Sequence, residues 1–196
     1  LAMVSQVGAI RRARELMKKA AAKLHRRGVT IPDPLPPMGV MIEVPGAALA
    51  ADAFAQASDF FAIGSNDLTM YTLAIDRGNE HVAHLFDPLH PGVLRLIQFT
   101  ATAALRARIP VSICGEMAGD PGAAILLLAM GFDSLSMNAT NLPKVKWMPR
   151  QISAAMASEL LTKVMVMDSP QVIHATVQLT LRNLGLDRMV NPSAAL

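Results

Sequence analysis

The sequence predicts an α/β protein: the C-terminal half of a (β/α)8 TIM-type barrel, with about four to five parallel strands and their helices. Three observations predict it. Short apolar runs starting at Gly39, Phe60, Pro110 and Ser134 alternate with longer helical patterns, as expected of parallel strands buried on both faces. The first three runs end in polar or reactive residues, Glu43, then Asn66 with Asp67, then Cys114 with Glu116. Beyond Pro143 everything reads as helix. A whole barrel takes roughly 250 residues and eight strands. A chain of 196 residues with four clear runs and a possible strand end at Ala2–Val4 therefore predicts a piece of a larger barrel with open sheet edges.

The elements follow in order. Ile10, Ala13, Met17, Ala20 and Leu24 recur at spacings of three and four, the apolar stripe of a first helix. The connector TIPDPLPPMG ends it, because proline removes donors and fixes φ. The run Gly39–Pro45 is a strand interrupted by one carboxylate, Glu43, and stopped by Pro45. An Ala-rich helix over Ala47–Ala57 precedes the second strand, Phe60–Gly64, which ends in Ser65, Asn66 and Asp67. A helical turn over Leu68–Ile75, a polar loop rich in His and Asp, and a helix over Pro91–Arg106 lead to the third strand, Pro110–Cys114. Pro121 starts a helix that runs to Met130 and stops at Gly131, before a fourth strand at Ser134–Met137. One domain spanning 1–196 is expected: first helix and connector over 1–37, site-bearing βα units over 38–150, and C-terminal helices over 151–196.

Composition bounds the function. A single cysteine excludes an internal disulfide, and no basic head with an apolar run and a small-residue cleavage site precedes the first helix, so a cytoplasmic setting is expected. The apolar stretch Ala123–Phe132 falls short of the about 20 residues a membrane span needs. The net charge of +3 is local. Between Val7 and Arg27 eight cations face one anion, Glu15, so the rest of the chain is net acidic. Those cations read as the solvated face of the first helix, without the aromatic interleaving of a nucleic-acid surface.

In a parallel α/β barrel the functional face lies where strands end, so Glu43, Asp67 and Cys114 should converge on one mouth. A carboxylate within an apolar strand is costly to bury unpaired, which points to a metal or a cationic partner for Glu43. A lone cysteine after a strand is ordinarily a small core residue.

The stretches GVMIEVPGAALAADAF, DFFAIGSNDLTMYTLAIDRGN, LFDPLHPGVLRLI and ICGEMAGDPGAAILLLAMGFDSLSMNATNLPKVK change that balance. They resemble the PEP-binding domain of Enzyme I of the PEP-dependent phosphotransferase system and its nitrogen-branch paralogue, closely from about Met38 to Lys146. Pyruvate phosphate dikinase and PEP synthase are more distant relatives. The resemblance implies PEP-dependent phosphoryl transfer to a protein histidine with release of pyruvate. It implies Mg2+ on Glu43 and Asp67, PEP contacts from Asn66, Asp67 and Arg77, and Cys114 as the acid that protonates the methylene carbon. It also implies a histidine phosphocarrier protein as partner, engaged through a preceding part of the enzyme, and a homodimer. No nucleic acid and no membrane insertion are expected.

Departures from the pattern set limits. Met70 stands where the family commonly has Gln, and no counterpart of the family's phosphate-clamping arginines lies in the sequence. PEP binding by the chain alone is therefore expected to be weak and catalysis absent. His81, His84 and His90 read as solvated or loop-capping rather than as phosphoryl acceptors. Two other readings stand beside this one: a Mg2+-dependent lyase acting on a PEP- or pyruvate-like acid, and a non-catalytic dimerisation module.

Overall fold

The computed structural model describes residues 1–186, so 187–196 of the predicted C-terminal helical segment lie outside the described residues. Four strands, β1 (Val40–Ile42), β2 (Phe61–Gly64), β3 (Val111–Cys114) and β4 (Ser134–Ser136), form one parallel sheet in sequence order. Each lies within its predicted run. The register aligns Ile42, Ile63, Ile113 and Leu135 in one row, and Gly64, Cys114 and Ser136 in the next. Alternation then sorts the faces. Val40, Ile42, Phe61, Ile63, Val111 and Ile113 are fully buried, whereas Met41, Ala62, Ser112 and Cys114 between them remain partly open. The open face corresponds to the lumen side of a barrel, and the closed face to its helical jacket.

The jacket comprises α1 (Val7–Arg26), α2 (Pro45–Leu49), α3 (Ala51–Ala55), α4 (Ser65–Leu73), α5 (Glu80–Ala83), α6 (Pro91–Ala107) and α7 (Pro121–Ala129). The chain continues through α8 (Leu142–Trp147), a 3-10 turn at Met148–Gln151, α9 (Ala154–Met165) and α10 (Pro170–Asn183). Helix starts follow capping chemistry. His90 Nδ1 accepts from Gly92 N at 3.1 Å, and Asp120 Oδ1 accepts from Ala123 N at 2.7 Å, each followed by proline at the first helical position. Residues Pro121–Leu127 of α7 are all buried, which explains why that helix is apolar all round.

Three expectations are corrected. The Ala47–Ala57 helix is two short helices starting at Pro45 and breaking at Ala50, whose φ of −98° and ψ of 17° leave the helical region. The helix expected from Leu68 begins at Ser65, directly at the end of β2. The stripe of α1 is only partly covered: Ile10 is buried and Met17 half-buried, but Ala20 and Leu24 are exposed. The reason is the sheet edge. Among the described residues the β1 edge is met by Leu1–Met3, which runs along it without forming a strand, with Met41 N donating to Leu1 O at 2.7 Å. Ile10, with Val7 and Ala9, anchors the start of α1 in the core, and Arg14 adds polar contacts, donating to Asp59 at 3.1 and 3.2 Å and to Ala57 O at 3.1 Å.

Candidate functional site

β1 ends at Ile42, so Glu43 sits just past the strand rather than inside it, and only 3% of its surface is exposed. Its Oε1 accepts a hydrogen bond from Met3 N at 2.6 Å. Gly64, at the end of β2, makes room for the rest of the carboxylate: a Cβ there would lie 2.8 Å from Glu43 Oε2. Because α4 starts at once after Gly64, Asn66 and Asp67 fall in its first turn, where an acidic side chain is favoured by the helix dipole. Asp67 faces Glu43. Burial, foremost, and then the Asp67 carboxylate push the Glu43 acid above its ordinary range, against the lowering pull of the Met3 N–H.

Cys114 occupies the same row on β3, half-buried, its thiol donating to Ile63 O at 3.5 Å. Burial raises the thiol pKa, and the negative charges of Glu43 and Asp67 raise it further, so the sulfur keeps its proton at neutral pH. The two carboxylates and the thiol thus share one electrostatic neighbourhood at the carboxyl ends of three adjacent strands.

The segments carrying these groups are stitched together. Ser65 Oγ donates to Cys114 O at 2.7 Å, and Glu116 N donates to Asn66 Oδ1 at 3.2 Å. Gly115 between them has φ of +109°, and a Cβ would collide with Ser65 Oγ and lie 2.9 Å from Asn66 Oδ1. Glycine is required there twice over, by conformation and by space. Beside this elbow lies an open cleft of about 480 Å³ lined by Asn66, Cys114, Glu116, Ser136, Asn138 and Asn141, among others. The sequence had suggested no role for Ser136, Asn138 or Asn141. Small polar residues in a loop carry no distinctive signal, and only the register of β4 against β3 brings them to the cleft.

Arg77 lies in an exposed turn after α4 but reaches across to the elbow. Its Nη2 donates to Glu116 Oε1 at 2.6 Å, and its guanidinium carbon lies 4.6 Å from the centroid of the Phe86 ring. Its other N–H groups make no hydrogen bond among the described residues. His81 and His84 are exposed, and His90 is the cap of α6. A second, smaller and more apolar groove of about 360 Å³, lined by Ile125, Leu128, Pro149 and Ala157 among others, sits on the α7 and α9 side and holds no titratable group.

Among the described residues no three His, Cys, Asp or Glu side chains come together as a metal cage. Glu43 and Asp67 nevertheless fit Mg2+. That ion is commonly held by one or two protein carboxylates with the balance from water and ligand oxygens, and no cation among the described side chains pairs with either group.

A parallel βα sheet with an amide, a thiol and an acid lining a cleft at its strand ends, two further carboxylates close to the thiol and an arginine paired to the cleft's acid, belongs to the barrel class of α/β proteins. Comparison with known families makes this specific. Residues 1–154 match the family described as PEP-utilising enzyme, PEP-binding domain, and the chain belongs to that family. It is 39% identical over 178 residues to the phosphoenolpyruvate-protein phosphotransferase of Priestia megaterium, covering 91% of this chain and 31% of that protein. It is 44% identical over 169 residues to the protein of that name from Haloferax volcanii, covering 86% of this chain and 30% of the relative. The one from Cupriavidus necator is 48% identical over 144 residues, 74% of this chain and 24% of the relative. The chain thus spans about a third of the length of these relatives or less. No helix among the described residues is long and apolar enough to cross a membrane.

Proposed function

We propose that this chain supplies the Mg2+-holding and PEP-binding rim, and the proton donor, of a PEP-dependent phosphoryl transfer to a protein histidine that releases pyruvate. The observation that carries the proposal is the convergence of Glu43, Asp67 and Cys114 at the ends of adjacent strands. Membership of the PEP-binding family and the printed name of the relatives support the choice of substrate and reaction.

Glu43 and Asp67 hold the ion, which neutralises developing charge on phosphate and enolate oxygens when bound. Asn66 and Arg77 take the anionic ligand: the guanidinium offers a planar fork for carboxylate or phosphate, and the Asn66 amide N–H2 makes no hydrogen bond among the described residues. When the phosphoryl group leaves for the acceptor nitrogen, the bond between phosphorus and the bridging oxygen breaks and an enolate remains. Its oxygen lone pair forms the carbonyl while the methylene carbon takes the Cys114 proton, giving pyruvate and a thiolate. The raised pKa keeps the Cys114 thiol protonated at neutral pH, so the proton is in place to be given, and the thiolate formed is basic enough to recover it. The acceptor histidine, the histidine phosphocarrier partner and a homodimer belong to this reading as features of the longer enzyme.

The test is PEP binding with and without Mg2+, followed by NMR titration of the backbone amides into the millimolar range. Mg2+-dependent shifts at Asn66 and Arg77 are expected, lost in Glu43→Gln and Asp67→Asn and retained in Cys114→Ser. Binding indifferent to both carboxylate changes contradicts the proposal.

A further inference from the structure

Arg77 carries its own anion. Its single hydrogen bond runs to Glu116, and both partners are substantially exposed, with 39% and 59% of their side-chain surfaces open to solvent. Such a pair holds weakly and dissociates easily. The two ends of the contact differ in what else fixes them. The Arg77 guanidinium also rests on the face of Phe86 at 4.6 Å, so it stays in place without the carboxylate. The Glu116 backbone is pinned by Asn66 Oδ1 and by the Gly115 elbow, so release moves only its side chain.

Glu116 also lines the cleft shared by Asn66 and Cys114. A polyanion seated there brings negative charge up to the Glu116 carboxylate and to the arm of Arg77 that it occupies. Like charges this close repel, and the contact between guanidinium and ligand gains what the contact with Glu116 loses.

We propose that Glu116 is a built-in counter-anion for Arg77, displaced when an anionic phosphate-carboxylate ligand binds, with Phe86 as the positioning residue that keeps the guanidinium at the cleft edge beside Glu116 during the exchange. The inference rests on the reading of Arg77 as a ligand-binding group and adds a specificity device to it. The like charge of Glu116 weighs more on a multiply charged ligand than on a singly charged one, so this contact tempers the preference of the site for PEP.

The two residues then act with opposite sign. In Glu116→Gln the amide oxygen still accepts from Arg77 but the competing charge is gone, so PEP binding in Mg2+ should tighten by about two- to five-fold, the range of an exposed ion pair. The advantage of PEP over pyruvate should grow, because the lost repulsion was larger for the more highly charged ligand. In Phe86→Ala binding should weaken by a similar factor, and Phe86→Tyr should restore it. The measurement is NMR titration of the 196-residue chain with PEP and with pyruvate, with circular dichroism to verify that each variant is folded. Weaker or unchanged PEP binding in Glu116→Gln overturns the exchange while leaving Arg77 as a ligand group, provided Arg77→Ala abolishes binding. PEP binding that survives Arg77→Ala refutes the role of Arg77 itself, and an absence of binding by the unaltered chain refutes the site; either result removes this inference too.

Discussion

Glu43→Gln should make the metal-free chain more stable. Only 3% of the residue's surface is exposed, and its carboxylate faces Asp67 and has one hydrogen-bond donor, Met3 N, at 2.6 Å. Glutamine keeps the shape and an oxygen for that donor. What is lost is the extra strength of a charge-assisted hydrogen bond, about 1 kcal/mol. What is gained is removal of a buried like-charge pair and a new N–H donor to Asp67, together about 2–3 kcal/mol. The net gain is about 1–2 kcal/mol, which for a chain of this size raises Tm by roughly 2–8 °C. With Mg2+ the order reverses. An ion at a hundred times its Kd stabilises the unaltered chain by about 2.7 kcal/mol, and the variant should show little of that shift. The assay is thermal unfolding by circular dichroism in EDTA and in excess Mg2+. A metal-free variant destabilised by more than about 1 kcal/mol would mean that the Glu43 carboxylate is a structural acceptor, and an undiminished Mg2+ shift would remove it from the ion's ligands.

Gly115→Ala combines a backbone at φ of +109° with a side chain pressed on Ser65 and Asn66, so a loss of at least about 2 kcal/mol is expected in urea unfolding; a loss under about 0.5 kcal/mol contradicts the elbow. Gly64→Ala has no φ penalty, since Gly64 sits at φ of −85°, but its Cβ meets Glu43 Oε2 at 2.8 Å, so Mg2+ affinity should fall several-fold with little change in fold, measured by Mg2+ titration. Asp59 is held below its usual range, first by Arg14 and then by Met38 N–H. A depressed carboxylate contributes stability above its unfolded pKa that is lost as pH falls through the folded one. Asp59→Asn should therefore cost up to about 1 kcal/mol at pH 7, a gap that closes below about pH 4 in pH-dependent unfolding. A gap that persists at low pH would assign the effect to packing.

The strands were legible because the helix-covered face is wholly apolar and the open face still carries Met41 and Ala62, which leaves nearly continuous apolar runs, and all four runs contain their strands. The starts of α6 and α7 were legible from Pro91 and Pro121. The break at Ala50 was not, because an alanine-rich run has neither a cap nor a breaker to mark it. The immediate start of α4 was hidden for a related reason: Ser65, Asn66 and Asp67 look like loop residues, yet they form the helix's first turn and so carry Asp67 toward Glu43. The stripe of α1 gave its helical character but not how much of it would be covered, which depends on what adjoins the β1 edge. At the site, residues on neighbouring strand ends could be grouped from order alone. Arg77 and Glu116 could not be paired, because their contact spans 39 positions and joins two loops.

The most direct test of the account replaces Mg2+ with Mn2+ and reads paramagnetic broadening of the amide signals. A single Mn2+ should bleach Glu43, Gly64, Asp67 and Cys114 first, and the effect should vanish in both Glu43→Gln and Asp67→Asn. Broadening centred elsewhere, or broadening that survives both substitutions, would contradict a shared ion between those two carboxylates.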